Sequence, residues 1–163
     1  MTSRRNLLLS GWKLGGALLV AAAGWTSWEA LRPLAGSGSK GPIVLGSPDQ
    51  VPVGTAKYFG EGRLWLANAD GQFFALSQRC PHLGCGVPFC ESSGRFECPC
   101  HGSVFDIGGE RISGPTPRGM DRYGLTVENG ILVADTDSLV DGPEPGASEF
   151  LTPAAGPSCV EGA

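Results

Sequence analysis

Both histidines of the chain and four of its six cysteines fall in two short segments, Cys80-Pro81-His82-Leu83-Gly84-Cys85 and Cys98-Pro99-Cys100-His101-Gly102-Ser103, with twelve residues between them. Two soft thiolates and two imidazoles supplied from paired loops suit zinc or an iron–sulfur centre. A lone histidine is usually a surface or hydrogen-bonded residue; here the only two both fall within the cysteine-bearing segments. Cys85 and Cys100 lie in the same loops, and in an oxidising compartment a pair so placed is more readily a bridge than two idle thiols.

The two boxes resemble those of the Rieske iron–sulfur proteins, Cys-x-His-x-Gly-Cys and Cys-Pro-Cys-His-Gly-Ser, and Gly114-Pro115-Thr116-Pro117 is similar to that family's proline loop. The resemblance implies that Cys80 and Cys98 bind one iron of a [2Fe-2S] cluster and His82 and His101 the other. It also implies a disulfide between Cys85 and Cys100 that links the two cluster loops. Rieske centres span about −150 to +300 mV, because neutral imidazoles replace anionic thiolates on one iron and ease the addition of an electron. A zinc loop pair would use the same four ligands, yet it accounts for neither the extra cysteine pair nor the proline loop.

Further roles follow from the same resemblance. Ser103 is expected to donate a hydrogen bond to the cluster, while Phe105 stands where high-potential members carry a tyrosine. One hydroxyl donor is thus missing, which implies a lower potential and menaquinol as a more natural donor than ubiquinol. Leu83 and the loop holding Pro115 are expected to cover the cluster and present an apolar tip. His101 would hydrogen-bond quinol on a cytochrome b-type subunit and take its proton, after which the electron would pass to a c-type cytochrome. The resemblance thus implies an electron-carrying subunit of a quinol:cytochrome c oxidoreductase. The rivals are the Rieske small subunit of an exported molybdoenzyme such as arsenite oxidase, and a soluble ferredoxin or oxygenase-feeding domain, which usually lacks both disulfide and anchor.

The boxes need a frame. Short apolar or alternating runs recur at 43–45, 56–59, 64–67, 73–77, 95–98, 104–106, 125–128 and 131–134, separated by breakers such as Asn68-Ala69-Asp70-Gly71 and Glu128-Asn129-Gly130. Strand-length runs between turn signals, with no long helical periodicity after residue 32, predict an all-β head at 43–139. With the resemblance, this becomes a small antiparallel Rieske-type β-sandwich with a cluster-binding loop subdomain. Residues 140–163, with four Pro and four Gly, predict an extended tail. Cys90 and Cys159 allow a second disulfide pinning that tail to the head, although Cys159 could equally carry a lipid, meet a partner thiol or stay free.

Ahead of the head, Leu7 to Trp28 holds Lys13 as its only charge, close to the roughly 20 residues that span hydrocarbon. With Arg4 and Arg5 before it and Trp25 and Trp28 at its far end, residues 1–31 read as an uncleaved transmembrane helix, head on the extracytoplasmic side. Ser3-Arg4-Arg5-Asn6-Leu7-Leu8 resembles a twin-arginine signal, whose route carries folded, cofactor-loaded proteins. Residues 32–42, Gly- and Ser-rich, read as a flexible hinge.

Composition narrows the rest. A chain of 163 residues with Gly 26 and Pro 13 leaves room for one loop-rich domain, not a multidomain enzyme. Residues 1–40 carry a net charge of +4 and the remainder −8. An acidic head repels phosphates, which argues against nucleic acid, and the basic end beside an apolar run points to a membrane surface.

Overall fold

Two pairs of residues set the frame of the head. Asp70 and Gly71 (φ 51° and 88°) and Asn129 and Gly130 (φ 51° and 79°) all adopt positive φ, as both central positions of a type I′ hairpin require. The chain therefore reverses within two residues, so that β3 (Leu64–Ala69) returns as β4 (Gln72–Ser77) with Ala69 opposite Gln72. Likewise β9 (Arg122–Glu128) returns as β10 (Ile131–Val140) with Glu128 opposite Ile131. Adding β1 (Pro42–Gly46) and β2 (Ala56–Phe59) gives a six-stranded antiparallel sheet in the order β1-β10-β9-β4-β3-β2.

This computed structural model describes residues 3–31, 41–146, 150 and 153–160. The chain divides into two units, Met1–Ser37 and Gly38–Ala163. A second antiparallel sheet, in the order β5-β6-β7-β8, is built from β5 (Phe89–Cys90), β6 (Arg95–Glu97), β7 (Val104–Phe105) and β8 (Arg111–Ser113). The head is thus all-β, and both sequence boxes lie in loops at the second sheet.

Alternation decides what each strand buries. Ile43, Leu45, Leu64, Leu66, Ala75, Leu132 and Ala134 point inward and form the core of the larger sheet with Val51. A second core joins Ala67, Leu76, Val87, Phe96, Phe105 and Met120 to Cys80 and Cys98, so the candidate ligands root in packed apolar structure.

The predicted strands are all present, with β10 running on to Val140 beyond a register shift between Asp135 and Leu139. Strands β5 and β8 were not predicted, although β6 and β7, equally short, were. Of the segment 32–42 read as a hinge, 32–40 lie outside the described residues. Pro42 already pairs with Asp135, and the Gly41 carbonyl accepts hydrogen bonds from Thr136 N (3.2 Å) and Oγ1 (2.9 Å). Among the described residues after Val140 there is no helix or strand.

Among the described residues of the other unit there is one helix, α1, Arg4–Leu31, 28 residues that enclose the predicted span. With a mean hydropathy of 1.5 over an 18-residue window, it is long and apolar enough to cross a membrane. Leu8, Trp12, Leu18, Trp25 and Trp28 are exposed around it, as expected of a helix whose partner is lipid.

Candidate metal centre

The two loops share one hydrogen-bond scheme. In the first, Cys80 N donates to Cys85 O and Gly84 N to Cys80 O, both 2.8 Å; in the second, Cys98 N donates to Ser103 O (2.8 Å) and Gly102 N to Cys98 O (3.1 Å). Gly84 and Gly102 have φ of 79° and 69°, a region in which a Cβ is strained, and this lets each loop turn back on its own cysteine. The common pattern Cys-Pro-x-x-Gly was visible in the sequence and was not read there as a structural repeat.

This fold brings the predicted ligands together. Cys80 and Cys98 are the free cysteines, both buried, at 3% and 2% exposure. The rings of His82 and His101 meet edge to face with centroids 4.9 Å apart, His82 half-buried and His101 exposed. Two thiols therefore lie inside, with one imidazole half-buried and the other exposed, a donor set that would suit a [2Fe-2S] cluster held by two cysteines and two histidines. Burial pushes the Cys80 thiol up and the neighbouring Cys98 sulfur adds to that; the His82 backbone N–H and the Ser103 hydroxyl oppose it. A buried thiol such as that of Cys80 resists ionisation, and a bound cation removes that penalty, which is the behaviour of a metal pocket.

Ser103 supplies a second test of fit. Its hydroxyl is fully buried and makes no hydrogen bond of good geometry within the protein, although it lies near enough to Cys80 to favour the thiolate. Buried hydroxyls are seldom left so, and a sulfide acceptor in the pocket would satisfy this one. Phe105 is fully buried with no hydroxyl of its own.

Cys85 and Cys100 form a disulfide with 6.6 Å between Cα atoms, tying one loop to the other. The sulfurs of Cys85, Cys98 and Cys100 lie within 4.8 Å of one another, but bonded sulfurs are not thiolate ligands, so this trio marks the edge of the pocket and is not a separate site. Cys90 and Cys159 form the second disulfide.

The proline loop packs straight onto the second box. A Cβ on Gly114 (φ 92°) would sit 2.5 Å from Ser103 Cα and 2.7 Å from Gly102 O, so glycine alone permits this approach. Arg111 Nη2 holds the loop by donating to Gly114 O at 2.7 Å. Pro115 is exposed, and among the described residues of the head Leu83 is the most exposed large apolar side chain, at 72%. Sequence reasoning did not anticipate Arg111 or the role of Glu97, a carboxylate only 2% exposed. No motif announces a buried glutamate, and only its neighbours in space reveal it.

Comparison with known proteins gives the family. Residues 41–124 match the Rieske [2Fe-2S] domain family. The cytochrome b6-f complex iron-sulfur subunit of Synechococcus sp. (strain JA-2-3B'a(2-13)) is 32% identical over 138 residues, covering 76% of this chain and 79% of that protein. The subunit of the same name from Chlorobaculum tepidum is 36% identical over 93 residues, covering 56% of this chain and 51% of that protein. The chain thus spans about half the length of the Chlorobaculum relatives it matches. Among solved structures, the plasma membrane Rieske protein of Synechocystis PCC 6803 aligns with a TM-score of 0.45 at 24% identity, covering 56% of this chain and 97% of that one. The matched segment encloses both Cys/His boxes and the proline loop, and the chain belongs to the Rieske [2Fe-2S] iron–sulfur family.

Proposed function

We propose that the chain is the membrane-anchored electron-transfer subunit of a bc-type complex, accepting an electron from quinol and delivering it to a c-type cytochrome. The observation that carries this reading is the exposed imidazole of His101 beside half-buried His82, above two buried thiols and next to the protruding side chain of Leu83. Similarity to cytochrome b6-f iron-sulfur subunits supports it.

In this reading Cys80 and Cys98 hold one iron and His82 and His101 the other. When bound, the cluster supplies a one-electron acceptor whose potential reflects its hydrogen bonds and solvent exposure. His101 accepts a hydrogen bond from the quinol hydroxyl and holds the departing proton. Leu83 and Pro115 dock against a cytochrome b-type subunit and exclude water from the quinol oxygen. Ser103 raises the potential through its hydroxyl, and Phe105 withholds a second donor, which favours menaquinol. Helix α1 anchors the subunit with its head on the extracytoplasmic side, and Arg4 and Arg5 belong to a twin-arginine signal.

The test is purification of the full chain from native membranes through an affinity tag. Co-purification of b- and c-type haem with inhibitor-sensitive menaquinol:cytochrome c reductase activity is expected. Recovery of a molybdenum-containing subunit without cytochrome b would overturn the reading.

A further inference from the structure

Among the described residues beyond β10 there is no helix or strand, yet these residues are fastened to both sheets. The Phe150 ring lies over Gly108, where a Cβ would stand 2.9 Å from Phe150 Cδ2, and meets Phe74 of β4 edge-on at 5.8 Å. Further on, Ala155 N donates to Ser93 O at 3.0 Å and Ser92 Oγ donates to Pro157 O at 2.7 Å. Gly156 comes so close to Ser92 O that a Cβ would sit 2.7 Å away. Cys159 then bonds to Cys90 of β5.

Glu97 of β6 is the centre of this attachment. Its Oε2 accepts from Ser158 Oγ (2.7 Å), Cys159 N (2.7 Å) and Val160 N (3.2 Å), while Oε1 accepts from Ser93 Oγ (2.7 Å). A buried carboxylate is costly unless its hydrogen bonds are complete, and three of these four donors come from the tail. Glu97 directly precedes Cys98 and pairs across the sheet with Val104, which follows Ser103. The tail therefore holds the residue from which the second cluster loop springs.

We propose that Phe150 and residues 153–160 form a strap that braces the second cluster loop, locked by oxidation of Cys90 and Cys159, with Glu97 as a positioning residue. This rests on Cys98 and His101 ligating the cluster. Cys159 is exposed and Cys90 buried, so the Cys159 thiolate attacks a disulfide-bearing oxidant and forms a mixed disulfide. The Cys90 sulfur then displaces the oxidant, whose own S–S bond has become two thiols; the two cysteines lose two electrons and two protons in total. Until that bond closes, Glu97 lacks its tail donors and the turn between β6 and β7 is free to open.

The experiment uses the full cluster-loaded chain in detergent and follows two signals: visible bleaching in the presence of an iron chelator, and hydrogen exchange of amides 96–104. Replacing both tail cysteines (Cys90→Ser with Cys159→Ser) should speed bleaching roughly tenfold or more, since even one hydrogen bond to a charged group is worth about that factor. Exchange should rise at 96–104 while β3 and β4 stay protected. Glu97→Gln, which leaves both disulfides intact, should speed bleaching in the same direction, and combining it with the cysteine changes should add little because the three residues act as one unit. Bleaching within twofold of the parent in either variant would overturn the strap, as would exchange rising equally throughout the head. Cys98→Ala separates the two readings: a cluster that survives it sinks the ligand assignment, whereas its loss together with inert strap variants sinks the strap alone.

Discussion

The two sheets of the head are stabilised in different ways. The larger one has strands of four to ten residues, I′ turns and an inward face of aliphatic side chains, so ladder and burial suffice. The smaller one has strands of two or three residues, tied by the Cys85–Cys100 and Cys90–Cys159 bonds and by the buried carboxylate Glu97. A sheet that devotes its loops to holding a cofactor has little length left for pairing, and covalent ties replace it. Small domains short of core commonly take this course.

Substitutions can break that contrast. The largest effect is expected at the ligands: Cys98→Ala should abolish cluster binding, measured as iron and sulfide content, while far-UV circular dichroism of the larger sheet persists. Next comes Cys85→Ser, which opens a loop with a sequence separation of 15. On the loop-entropy account this costs about 3 kcal/mol, and denaturant melts should show it together with faster cluster loss. Ser103→Ala should keep the cluster and lower its potential. A hydrogen bond to a charged acceptor worth about 1.5 kcal/mol corresponds to roughly 60 mV in a one-electron couple, read by redox titration. Smallest, and confined to the other sheet, Gly130→Ala places a Cβ at φ 79°. It should cost about 1 kcal/mol in thermal melts and leave the cluster spectrum unchanged.

The same contrast explains what could be read in the sequence. Strand-length apolar runs at 64–67 and 131–134 and the pairs Asp70-Gly71 and Asn129-Gly130 announce the larger sheet, since a short buried strand and a two-residue turn each impose a local pattern. Cys80, His82, Cys98 and His101 stand out as candidate ligands because metal chemistry restricts residue type. Strands β5 and β8 were not legible, although β6 and β7, equally short, were. Glu97 looked like any charged residue, and its burial depends on a tail that meets it 61 residues later at Ser158. The Cys90–Cys159 pair was one arrangement among several, because cysteine spacing fixes no connectivity.

The central claim is that His82 and His101 present a Rieske-type cluster to quinol. An EPR-monitored redox titration of the membrane-bound protein, run with and without a quinone-site inhibitor, tests it most directly. The account predicts a Rieske signal whose position or potential moves when the inhibitor binds beside His101. A Rieske signal indifferent to quinone-site ligands would contradict the quinol role, and no iron–sulfur signal at all would contradict the site itself.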